Sequence, residues 1–172
     1  LKVEKWQEDI IEKRFRIGEH VYNETLAIAL KSYFELAKRK DYRFLQNRLE
    51  ELNQQTRNDA DKMALQDLRE DRKEVIKQIY KMQQNQGLSE FGLMEIARAY
   101  AKKYYKKDIN STLAQQLAKQ VWSAMQKKIA DPDNTELHYK RRGQLNSLTG
   151  CNNATGIRLL GDIDHMYVLW KP

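Results

Sequence analysis

Along residues 7–40 the apolar positions are Ile10, Ile11, Phe15, Val21, Tyr22, Leu26, Leu30, Tyr33, Phe34 and Ala37. Steps of three and four residues place them on one face of a helix, which at 1.5 Å per residue would be roughly 50 Å long. Gly18 interrupts the pattern. Glycine lowers helix propensity by about 1 kcal/mol, so close packing of another helix is expected there. Asp41 suits the cap of a second, shorter helix carrying Phe44, Leu45, Leu49 and Leu52, and the polar stretch 53–59 breaks its pattern. A third helix is expected over 60–84, with Leu65, Leu68, Val75, Ile76, Ile79 and Met82 inward. Its outer face is dense with charge, including Glu74 and Lys77, and reads as solvated.

Gly87 stops the third helix and Ser89 caps a fourth over 90–107. Asn110, Ser111 and Thr112 are three candidate caps for a fifth, and Thr112 with Gln115 has capping-box spacing. Leu113, Leu117, Val121 and Met125 form its stripe, which ends before Asp131-Pro132 because a following proline disfavours helical backbone. Beyond Pro132 the period shortens. Residues 137–140 and 157–160 have strand character, Met166, Val168 and Trp170 alternate with Tyr167 and Leu169, and 161–164 suit a hairpin connection. Residues 1–5 alternate as a further short strand. The predicted fold is mainly α, a long-helix bundle over residues 6–133. A small antiparallel β subdomain, barrel-like, is expected from both chain ends, 1–5 together with 134–172.

Composition agrees with this. The 172 residues are 32% charged and 41% hydrophobic, with 2 prolines and 7 glycines, which favours helices over a loop-rich or all-β fold. No run of ~18 apolar residues is present to span a membrane, and no signal-peptide core opens the chain. The single Cys151 excludes an intrachain disulfide and fits a reducing, cytoplasmic compartment. The start at Leu1 and the strand-like final six residues lead us to expect a piece of a longer protein.

Charge narrows the function. A formal charge of +7 favours an anionic partner, nucleic acid before a membrane surface. Lys38, Arg39, Lys40 and Arg43 crowd the junction of the first two helices beside Tyr42. Lys102, Lys103, Lys106 and Lys107 end the fourth beside Tyr100, Tyr104 and Tyr105. Cations at a helix C-terminus also answer the macrodipole; cations interleaved with tyrosines hold a phosphate backbone while a base or ribose stacks. Residues 137–161 contain no acid at all, and their centre reads KRRGQLNSLTGCNNATGIR. It carries Lys140, Arg141, Arg142 and Arg158, and between them Gln144, Asn146, Ser147, Thr149, Asn152, Asn153 and Thr155. Amides and hydroxyls both donate and accept, and the arginine fork matches phosphate or a guanine edge. A turn needs only two or three such residues, so contact with a sugar–phosphate chain is expected.

Catalytic and metal chemistry find no footing. His20, His138 and His165 are scattered without CxxC or HxxxH spacing, and no GxSxG, P-loop or GxGxxG occurs. Asp162 and Asp164 lie where a hairpin turn wants Asp and Gly. No catalytic residue, metal ligand or cofactor is assigned to this chain.

WQEDIIEKRFRIGEHVYNETLAIALKSYFEL resembles the N-terminal helix of the TnpB (OrfB) proteins encoded by insertion sequences. Val21-Tyr22-Asn23 stands at that helix's aromatic-Val-Tyr-Asn core, with His20 in place of the aromatic. GLSEFGLMEIARAYAKK is similar to the family's next segment, NSTLAQQLAKQVWSAMQKKI to its last helix, and KRRGQLNSLTGCNNATGIRL to the β segment that follows in one branch. The similarity runs in the family's order through essentially the whole chain, and type V CRISPR effectors share the same beginning. The resemblance implies the recognition and wedge region of an RNA-guided DNA nuclease from the prokaryotic cytosol. Its partners would be guide RNA, target DNA and the nuclease domain of the same polypeptide. In such proteins base pairing reads sequence while the protein holds the heteroduplex and reads a short adjacent motif. By similarity Ser89, Phe91, Ser111 and Gln115 would face the adjacent-motif duplex, and residues 140–158 the guide RNA or that duplex. The family's RuvC-like carboxylate triad and zinc ribbon have no counterpart here, so the resemblance implies a non-catalytic piece. The divalent metal, such as magnesium, would belong to the rest of the nuclease.

Two other classes fit the same charge and helices. A helix-turn-helix transposase domain would bind DNA without RNA, and a helical interaction scaffold would bind no nucleic acid.

Overall fold

A computed structural model describes residues 4–58, 62–149, 157–161 and 166–170. The chain is mainly α with a small antiparallel β element: α1 (Lys5–Lys38), α2 (Lys40–Asn58), α3 (Lys62–Asn85), α4 (Glu90–Tyr104), α5 (Ser111–Ala130), β1 (Ile157–Gly161) and β2 (Met166–Trp170). The two strands pair with Ile157 opposite Trp170 and Gly161 opposite Met166.

The helices largely follow the apolar periods, with informative departures. Lys5 lies in α1, not in a strand; residues 1–3 of that expected strand are outside the described residues, as are residues 162–165 of the hairpin connection. The polar stretch after Leu52 does not end α2, which runs on to Asn58. Gln54, Gln55 and Arg57 are exposed there, and polar side chains are tolerated on an exposed helical face. Residues 137–140 are not a strand. α4 stops at Tyr104 rather than residue 107, and Ile109 N–H then donates to Tyr105 C=O at 3.0 Å, closing a turn toward α5. Asn110, not Thr112, caps α5: its Oδ1 accepts the Leu113 N–H at 2.9 Å from extended backbone. Gly87 does end the α3 segment, with φ of 72° and Leu88 N–H donating to Gln83 C=O at 2.8 Å, the 6→1 bond of a glycine C-cap.

The described residues form two compact units whose division differs from the composition change near residue 133. One comprises residues 1–29 with 90–172, the other 30–89. In the first, α4 packs on α5. Ala97, Ala101, Ala114 and Ala118 are buried there beside Leu93, Leu117, Val121 and Met125, and small residues let helix axes approach closely. α1 contributes Ile17, Val21, Tyr22 and Leu26 to the buried set. In the second, α2 packs on α3, with Tyr42, Leu52 and Ile79 buried. Phe44, expected inward, is 69% exposed, because the α2 face that turns in carries Tyr42 and Leu52.

The interruption at Gly18 has a different cause from a helix crossing. A Cβ there would lie 2.7 Å from Leu145 Cδ2 and 2.9 Å from Leu148 Cδ2. The acid-free segment, not a helix, lies against α1. Asn23 Nδ2 donates to Lys140 C=O at 2.9 Å and its Oδ1 accepts the Lys140 N–H at 2.8 Å. One turn earlier the buried Glu19 Oε1 accepts the Gly143 N–H at 2.7 Å and the Leu145 N–H at 3.4 Å. An acid-free sequence therefore folds around a carboxylate supplied by α1.

Candidate nucleic-acid interface

Three of the cationic or polar positions singled out by sequence, Lys102 on α4, Lys106 just after it and Ser111 on α5, line one groove. The turn that follows α4 returns the chain, so the last turns of α4 face the first turn of α5 across a hollow of about 510 Å³. Arg98, Lys102 and Lys106 supply three cations to its lining, and Glu95 the single acid. Arg98 binds Glu95 at 2.6 Å, which leaves Lys102 and Lys106 as the excess charge beside Ser111. The N-terminal turn of α5 adds the partial positive charge of its N–H groups. Arg98 was missed in the sequence. Its signal was the four-residue step to Lys102, which puts both on one face of α4.

The tyrosines form a cluster on another face of α4: at 100° per residue Tyr100 and Tyr104 lie about 160° round the helix from Lys102. Tyr100 and Tyr104 ring centroids are 4.9 Å apart, Tyr100 and Tyr105 6.0 Å, and His20 lies 6.4 Å from Tyr105. Tyr104 is 56% exposed, and Lys103 Nζ sits 4.9 Å over its ring, a cation–π contact that presents charge and aromatic surface together. The Tyr100 hydroxyl is pushed up to about 12, first by burial and then by the neighbouring Tyr105 and Glu24. The folded chain keeps this proton between pH 10 and about 12 while the unfolded chain loses it. The associated stabilisation is whole below pH 10 and is lost as pH rises through about 12. Ultraviolet titration of the nine tyrosines should therefore lose a step near pH 12 in Tyr100→Phe; an unchanged titration would contradict the assignment.

The acid-free segment is more firmly built than its composition alone suggests. Gly143 has φ of 78°, a conformation suited to glycine, and Gln144 N–H donates to Arg141 C=O at 3.0 Å. Gln144 Oε1 in turn accepts the Arg141 N–H at 2.8 Å, so its amide oxygen serves the turn. Lys140 Nζ lies 5.6 Å over the Tyr22 ring, whose hydroxyl pKa is raised by burial. Arg141, Arg142, Asn146, Ser147 and Thr149 are exposed; Asn152 and Asn153 are outside the described residues. Arg158 is half-buried in β1.

Other expected positions are dispersed. Glu90, beside Phe91, pairs with Lys119 at 3.6 Å, two turns along α5 from Ser111, so Phe91 and Ser111 do not share one spot. Phe91 is 71% exposed, whereas Ser89 and Gln115 are half-buried. Lys38, Arg39 and Arg43 are exposed at the α1–α2 junction. Arg39 is held by Asp41 through two bonds of 3.1 and 2.7 Å, and that fork draws the Asp41 pKa down. Among the described residues no group of three or more His, Cys, Asp or Glu is placed to hold a metal ion, and no helix is long and apolar enough to cross a membrane. Comparison of the chain with protein-family models, with curated proteins and with solved structures finds no match.

Proposed function

We propose that this chain binds nucleic acid as the non-catalytic recognition and wedge region of an RNA-guided DNA nuclease acting in the prokaryotic cytosol. The observation that carries the binding reading is the α4–α5 groove, where Lys102, Lys106 and the first turn of α5 meet. Phosphate is held there by lysines and helix N–H groups, while Tyr104, on another face of α4, offers a ring to a base or ribose. The Arg141–Arg142 turn, anchored on α1 through Glu19 and Asn23, presents a second set of cations from a fixed backbone. The guide-dependent part of the reading rests on the resemblance to the TnpB proteins, with cleavage left to the remainder of the nuclease.

Fluorescence anisotropy with labelled RNA and duplex DNA tests this. Lys102→Gln with Lys106→Gln should weaken binding on the order of tenfold and reduce the salt slope by about 2, close to one unit per lost phosphate contact. Neutralising Lys140, Arg141 and Arg142 together should flatten the slope further. Unchanged affinity in the first variant removes the groove from the site. DNA affinity that does not rise on adding guide RNA to the parent nuclease would favour a transposase-type domain acting on DNA alone.

A further inference from the structure

Arg69, Lys73, Lys77 and Lys81 follow one another at four-residue steps along α3. All four are exposed. At 1.5 Å per residue the step is about 6 Å and the row about 18 Å long, drifting about 40° round the helix at each step. Among the described residues only Lys77 of the four makes an ion pair, with Glu74 at 3.6 Å between two exposed side chains, a contact of little energetic weight. Beside the row runs a shallow groove of about 590 Å³ lined by Lys73, Ile76, Lys77, Tyr80, Lys81 and Gln84. Tyr80 is 51% exposed within it. Three cations, an aromatic ring and an amide thus share one face of the 30–89 unit, on a helix whose charge first reads as mere solvation.

We infer that this α3 face is a second, separate site for the sugar–phosphate backbone of RNA or DNA, with the lysine row on phosphates and Tyr80 against a ribose or base. Evenly spaced cations suit a polymer whose charges recur every few ångströms along each strand. The neighbouring row of acids argues against a flat anionic surface. Glu70 and Glu74 follow Arg69 and Lys73 by one residue, about 100° round the helix, and precede Lys73 and Lys77 by three, about 60°, so a bilayer broad enough to cover the lysines would also meet them. A single strand of phosphates is narrow enough to follow the basic row along its side away from these acids.

Lysine acetylation footprinting of the unmutated chain tests the site without relying on a variant's folding. Mixed-sequence single-stranded RNA should protect Lys73, Lys77 and Lys81 several-fold, and polyglutamate or anionic vesicles of phosphatidylserine should not. Protection by polyglutamate or vesicles alone overturns the inference in favour of an acidic protein or a membrane; no protection by RNA overturns it outright. In anisotropy, Lys73→Gln/Lys77→Gln/Lys81→Gln should lower the salt slope by about 2–3. A control of equal charge change, Lys31→Gln/Lys119→Gln/Lys127→Gln, should lower it far less. Equal losses in both would trace the effect to net charge and overturn the site. Loss in the Lys102/Lys106 variant with none in the α3 variant would remove the α3 site and leave the α4–α5 groove standing; the converse would do the opposite.

Discussion

Tyr42→Ala should lower stability by about 3–5 kcal/mol, the usual range for emptying a buried aromatic site. Tyr42 sits in the first turn of α2 with no exposed surface. Its hydroxyl accepts a hydrogen bond from Gln83 Nε2 of α3 at 3.0 Å. Gln83 is itself buried, and its carbonyl accepts the Leu88 N–H at 2.8 Å where α3 ends. The ring fills space between two helices while the hydroxyl satisfies an amide that water cannot reach. Burial raises the Tyr42 pKa, against the opposing pull of the Gln83 bond. Tyr42→Phe separates the two roles. It keeps the ring and leaves the buried Gln83 donor unpaired, for a loss of about 1–2 kcal/mol. Urea denaturation followed by helical circular dichroism measures both. An alanine variant within 1 kcal/mol of the parent, on the order expected for a mere surface change, would show that the site collapses without consequence.

Glu19→Ala should cost about 2–3 kcal/mol, because a buried acceptor of two backbone N–H groups disappears and a charged acceptor is worth more than a neutral one. The Gly143 and Leu145 amides lose the carboxylate that holds them, and hydrogen exchange at both should speed up. Asn23→Ala breaks the paired bonds to Lys140 and loosens the same segment from the other end. Both substitutions release one docked stretch, so the double variant should lose less than the sum of the singles. Full additivity in denaturation would mean that the two anchors act independently. Retained protection at Gly143 in Glu19→Ala would assign the docking to the Leu145 and Leu148 side chains instead. In the proposed function the same loosening would let the Arg141–Arg142 turn wander, so nucleic-acid affinity should fall with the docking.

Much of the helical core was legible. Leu113, Leu117, Val121 and Met125 are all buried, because a four-residue stripe can turn inward only as a helix. Gly87 ended α3 as glycine after an apolar run should. Short-range pattern failed where a distant partner decides. The strand expected at 137–140 is instead held by Asn23, more than a hundred residues away, and no periodicity within four residues can report such a bond. Gly18 signalled close packing, but not that two leucines of the 140–149 segment would fill the space. The candidate interface divides likewise. Lys102 and Ser111 were visible as residue types, whereas Arg98 joined them only once the turn after Tyr105 was in place.

The sequence by itself determined a basic, mainly helical chain, the buried stripe of α5 and strands at 157–160 and 166–170. All of these follow from side-chain period and propensity, which act over a few residues. Tertiary structure alone decided which cations share a groove and which carboxylate holds the acid-free segment. It also decided that Gln144 turns its amide oxygen to the backbone. Those outcomes depend on groups distant in sequence meeting within hydrogen-bond reach, where burial and geometry decide which bonds form.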